Sequence, residues 1–140
     1  MPFPIIVWIL TVLAAVAIVL TRLRLGNDDA AGRSSISRRL PIVHFCAGIL
    51  ALVLWVPVLV APDDSFVGGA LMGILAVAVW WVTALCGLLI LVRWLPVKGR
   101  HAPQATADGW GAGPGLSVLA HLGLAGGVLV FTYAYLTAAV

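Results

Sequence analysis

The chain has 140 residues, 63% of them hydrophobic and 9% charged, with a net charge of +3 and a mean hydropathy of +1.15. A domain of this size cannot hide so much apolar area in a water-soluble core, so the composition excludes an ordinary soluble domain and points to a bilayer. No basic groove interleaved with aromatics accompanies the positive charge, which argues against nucleic acid as a partner and for anionic lipid headgroups.

Four spans free of Asp, Glu, Lys and Arg are expected to cross the bilayer as helices, each near or above the ~20 residues that ~30 Å of hydrocarbon requires. The first covers residues 4–21. Its start, MPFPIIVWIL, has no basic n-region and its arginines come after the apolar run, so it reads as a retained helix and not as a cleaved export signal. Loop 22–40 follows, polar and of mixed charge. The second span, 41–61, opens on Pro41, placed in the first turn where a missing N–H costs least. At 100° per residue, the side of this helix that carries His44 also carries Ala47, Gly48, Ala51 and Trp55.

The short APDDSF connection makes the second and third helices antiparallel neighbours. The third span, 67–92, contains GILAVAVWWVTALCGLLILV, apolar all round as a membrane helix is and a barrel strand is not. It holds a GxxxG at Gly69 and Gly73, with Ala76 and Gly87 on the same side as a surface for close helix packing. Loop 93–115 is rich in Gly, Pro and Ala. The fourth span, 116–138, places Ser117, His121, Ala125, Thr132 and Tyr135 on one polar stripe and turns Gly123, Gly126 and Gly127 the other way. Polar groups are costly in hydrocarbon, so the stripe is expected to face the bundle or another subunit.

All eight basic side chains lie in the loops 22–40 and 93–115, which the positive-inside rule assigns to the cytoplasm, leaving both termini outside. The expected fold is therefore all-α, a single integral-membrane domain over 1–140 with four transmembrane helices in an up-and-down bundle. Heavy use of Arg, Ala, Val, Leu and Gly beside a single lysine associates with GC-rich bacterial genomes, hence the inner (plasma) membrane as the expected location.

The chain contains no glutamate and all five aspartates lie outside the spans, so no carboxylate pair is available for acid–base work in the membrane and no catalytic residues are assigned. Cys46 and Cys86 form no CxxC and read as small buried hydrophobes. The intramembrane histidines, His44 and His121, stand at similar depths on helices expected to be diagonal. Three readings follow. The first is a non-catalytic accessory or assembly subunit of a larger membrane complex, respiratory or envelope, with other membrane subunits or a second copy as partner. The second is an electron-transfer subunit with His44 and His121 as axial ligands of haem b, and Arg38, Arg39 or Arg93 meeting its propionates. This arrangement resembles the general plan of membrane b-type cytochromes in pairing histidines across helices at similar depth. Histidines so placed also hydrogen-bond carbonyls, serines or waters, or touch a quinone or lipid. The third reading, a small dimeric transporter, ranks last because no intramembrane charge drives it.

Overall fold

The computed structural model describes residues 2–26, 39–98 and 115–140, with the side chains of 21–26, 93–98 and 115–117 outside that description. The described residues form four helices: α1 (Phe3–Gly26), α2 (Arg39–Val60), α3 (Ala70–Lys98) and α4 (Gly115–Leu136). Each is long and apolar enough to cross a membrane, so the regular structure among the described residues is all helical and the chain is multi-pass in character. Helices α1 and α3 run past their apolar spans because a helix already nucleated is readily extended by good formers such as Arg and Leu.

Helix α3 begins at Ala70 and not at 67, for reasons of turn chemistry. The Ser65 N–H donates to the Pro62 carbonyl (2.9 Å), and the Ser65 hydroxyl donates to the same oxygen (2.6 Å) while accepting the Gly68 N–H (3.0 Å). Gly69 therefore precedes the helix, where its carbonyl accepts the Gly73 N–H at 3.2 Å. This corrects the expectation of a GxxxG on one helix face, since only its second glycine is on α3. At the other end, α4 closes with Ala138 at φ 48°. The Ala139 N–H reaches Ala134 O (2.9 Å) and the Ala138 N–H reaches Tyr135 O (3.2 Å), the two bonds of a Schellman cap.

Helix α2 packs on α3 and α3 on α4, while α1 touches α4 and, most sparsely, α2. Each helix buries one stripe at three- and four-residue spacing: Val7, Thr11 and Ala14 on α1; Gly48, Ala51 and Trp55 on α2; Ala76, Trp80 and Ala84 on α3; Val128, Phe131 and Ala134 on α4. At the centre the Phe131 ring lies between Trp55 (centroids 5.0 Å apart) and Trp80 (5.3 Å). Lipid chains are as apolar as these side chains, so helix association rests on such close packing and on interhelical hydrogen bonds.

Three of these bonds are donated by tryptophan or tyrosine side chains. The Trp55 indole donates to the Thr11 hydroxyl (3.1 Å), the Trp81 indole to the Thr132 hydroxyl (3.1 Å) and the Tyr135 hydroxyl to the Ala70 carbonyl (2.6 Å). Both threonines spend their own proton on the carbonyl one turn back, Val7 at 2.8 Å and Val128 at 2.7 Å. The remaining helix surface is apolar and exposed, with residues such as Val12, Val53, Leu71 and Leu129 suited to lipid.

Candidate functional site

His44 of α2 and His121 of α4 meet inside the helical assembly, with ring centroids 5.9 Å apart and planes inclined by 26°. The His44 Nδ1 lies 2.9 Å from the Thr83 carbonyl of α3. A carbonyl only accepts, so Nδ1 carries the proton and Nε2 keeps its lone pair. That is how a metal-binding imidazole is held, with its second nitrogen fixed on a backbone oxygen.

One turn along α3, Gly87 supplies the space in which the rings meet. A Cβ built there would lie 2.8 Å from His121 Cδ2 and 2.9 Å from His44 Cε1. Any larger residue would push into the pair. Beside the rings is a cavity of about 60 Å³, walled by small groups (Ala14 and Ala17 of α1, Gly48 of α2, Ala120 of α4) and by Ile18, Phe45 and Trp80. Trp80 is fully buried, and its indole N–H is the one buried side-chain polar atom among the described residues that has no hydrogen-bond partner. An unmet donor in hydrocarbon costs free energy, and here it belongs to a side chain lining the histidine cavity.

Two imidazoles that share one metal at about 2 Å each have ring centres about 6 Å apart; these two rings are stacked with centres 5.9 Å apart. Among the described residues, no group of three or more His, Cys, Asp or Glu gathers. A bare dication would therefore sit in hydrocarbon on two neutral ligands with no carboxylate to offset its charge. An iron that arrives in its own macrocycle avoids that penalty, but the cavity of about 60 Å³ takes a macrocycle only if the helices part around the rings.

The other residues singled out from the sequence divide. His121, Thr132 and Tyr135 all meet neighbouring helices, His121 at His44, Thr132 at Trp81 and Tyr135 at Ala70; the Ser117 side chain lies outside the described residues. A Cβ on Gly73 would collide with the Tyr135 ring, so that glycine is used within the chain. Ala76 is fully buried. The three glycines of α4 do not act as one face: Gly127 is buried with Leu10 of α1 nearby, whereas a Cβ on Gly123 or Gly126 would meet nothing within 4 Å. Arg39 is exposed at the first position of α2, about 7–8 Å along the axis from His44. Arg38 and the Arg93 side chain lie outside the described residues. Cys46 is exposed and Cys86 half-buried, both as free thiols.

The chain matches no family model, no curated protein and no solved structure. The chemistry of the site is therefore argued from its own residues. Sequence reasoning found the two histidines but not Thr83, whose contribution is a backbone oxygen, nor the role of Trp80. It did contain a signal for Gly87. Counting inward from the same end of each span puts Gly87 at the depth of both histidines.

Proposed function

We propose that the chain is an electron-transfer subunit of the bacterial inner membrane that holds one haem b between His44 and His121. The observation that carries this reading is the histidine pair itself, spaced for one iron, with His44 oriented by the Thr83 carbonyl. Gly87 supports it as a position where a side chain would push into the two rings. In this reading the helices form an up-and-down bundle with both termini outside. The basic loops 22–40 and 93–115 then face the cytoplasm, the side on which a propionate would meet Arg39 at the start of α2. Bound haem would supply one-electron chemistry. The chain's own part is to ligate the iron, orient His44 and exclude water, and it needs no acid–base residue for that.

The test is an absorption spectrum of protein purified from haem-replete cells. A Soret band with the low-spin pattern of two imidazole ligands is expected, and His44→Ala and His121→Ala are each expected to lose that pattern. A colourless preparation that takes up no added haem sinks the reading.

A second reading, compatible with the first, is an accessory role in a larger membrane complex. It is favoured by the open backbone at Gly123 and Gly126, which leaves α4 able to receive a further helix at close range. Gly126→Leu should then strip copurifying membrane subunits, or a second copy of the chain, and leave the histidine site intact. Unchanged association in that variant would count against it.

A further inference from the structure

Between α1 and α2 runs a groove of about 410 Å³ whose lining is entirely apolar. Its floor is half-buried, formed by Ala15 and Ile18 of α1 and by Phe45 and Leu52 of α2. Its rims are the exposed Val19, Ile49 and Val53. The groove follows from the α1–α2 seam, the sparsest between neighbouring helices. At one end the helices are tied where the Trp55 indole meets the Thr11 hydroxyl, about one turn beyond Leu52 and Ala15.

Every lining residue lies inside the apolar spans Phe3–Leu20 and Arg39–Val60, so the groove opens on hydrocarbon. Left empty, it would forfeit dispersion contacts along its whole length. Size decides what fills it. From Phe45 to Val53 the groove runs about 12 Å along α2. An equal length of helix, about 10 Å across, takes roughly 900 Å³, so a helix of a second subunit could only ride on the rims. A single unbranched hydrocarbon chain can lie on the floor.

Charge decides which way the occupant points. On α1, Arg22 follows Ile18 by one turn and Arg24 comes two residues later; on α2, Arg39 precedes Phe45 by about 9 Å. Beyond the opposite end of α2 stand Asp63 and Asp64. An anionic head is thus drawn to one end of the groove and repelled from the other.

We infer that the groove holds one acyl chain of an anionic phospholipid from the surrounding bilayer, with the phosphate at the end marked by Arg22 and Arg39 and the chain against Ala15, Ile18 and Phe45. The inference needs nothing of the haem reading. Ile18 and Phe45 also line the histidine cavity, so the bound chain backs the outer wall of that site.

The experiment uses the full chain in phosphatidylcholine nanodiscs containing a minor share of phosphatidylglycerol whose acyl chain carries a photoreactive diazirine, with the labelled peptides mapped by mass spectrometry. Labelling is expected to favour the groove residues at least fivefold over Leu85 and Leu122, which are exposed on α3 and α4 near the depth of the histidines. Phosphatidylcholine with the same reactive chain is expected to label the groove at least threefold less, and Arg39→Gln to narrow that difference. Ala15→Leu fills the floor and is expected to cut groove labelling at least fivefold while Leu85 and Leu122 label as before. Val19→Trp, on the exposed rim, makes the same test if Ala15→Leu does not fold. Labelling spread evenly over all exposed faces, equal labelling by the two headgroups, or wild-type groove labelling in both folded variants overturns the inference. So does a groove left unlabelled in a dimeric chain, which would assign it to a second copy.

Discussion

Phe131→Ala is expected to lower the unfolding free energy by about 2–3 kcal/mol, with the transition followed by tryptophan fluorescence during denaturation in mixed micelles. The ring fills the space between Trp55 and Trp80 and is only 1% exposed, so its removal leaves a void that two rigid indoles close poorly. In a soluble protein the loss would be larger, because transfer of the side chain to water adds to the cost of the cavity. In a bilayer the transfer part nearly vanishes, since the unfolded helix keeps the ring in lipid. The cavity part remains, at about 24 cal/mol per Å³ over roughly 100 Å³ of lost volume. A loss under about 1 kcal/mol would show that the three rings are packed no better than lipid packs around them.

Gly87→Leu is expected to destabilise the chain by about 1–3 kcal/mol through overpacking and to reduce haem affinity at least a hundredfold. The first added carbon already lies under 3.0 Å from both imidazoles, and the rest of the side chain has only the small histidine cavity to enter. The rings must part, and the Thr83 bond that orients His44 stretches or breaks. Gly87→Ala separates the two consequences. Alanine gains about 0.5–1 kcal/mol over glycine inside a helix, which offsets much of the clash in stability, yet the displaced rings still bind haem more weakly. Denaturation and haem titration on the two variants give the comparison. Full haem affinity in Gly87→Leu would falsify the placement of the iron between the rings.

The membrane-spanning character was legible because hydropathy alone decides it, and the four helices follow from four apolar spans. Inward faces are nearly as plain. Stepping 100° per residue groups His44 with Gly48, Ala51 and Trp55, and the last three are the residues α2 buries most deeply. Local chemistry was harder to read. The Pro62–Ser65 turn captures Gly69 through hydrogen bonds that no hydropathy pattern reports, and that divides the apparent GxxxG. The α4 glycines divide for a different reason: α4 contacts both α1 and α3, so its inward surface is wide enough to take in Gly127 while Gly126, its chain neighbour, stays outside. At the site, the histidines announce themselves by being polar in hydrocarbon. Thr83 O and the emptiness at Gly87 depend on where a third helix passes, which one sequence does not state.

The threonine-to-tryptophan bonds limit more than separation. Because Thr11 and Thr132 each give their proton to their own helix, they can only receive one from a neighbour, and each indole has a single proton to give. α1 against α2, and α3 against α4, are thus latched at one height, since sliding by a helical turn would strand an indole N–H in oil. Such a one-position latch acts as a vernier: with the His44 ring nitrogen held 2.9 Å from the Thr83 carbonyl, which ties α2 to α3, the α3–α4 latch keeps His44 and His121 level with each other.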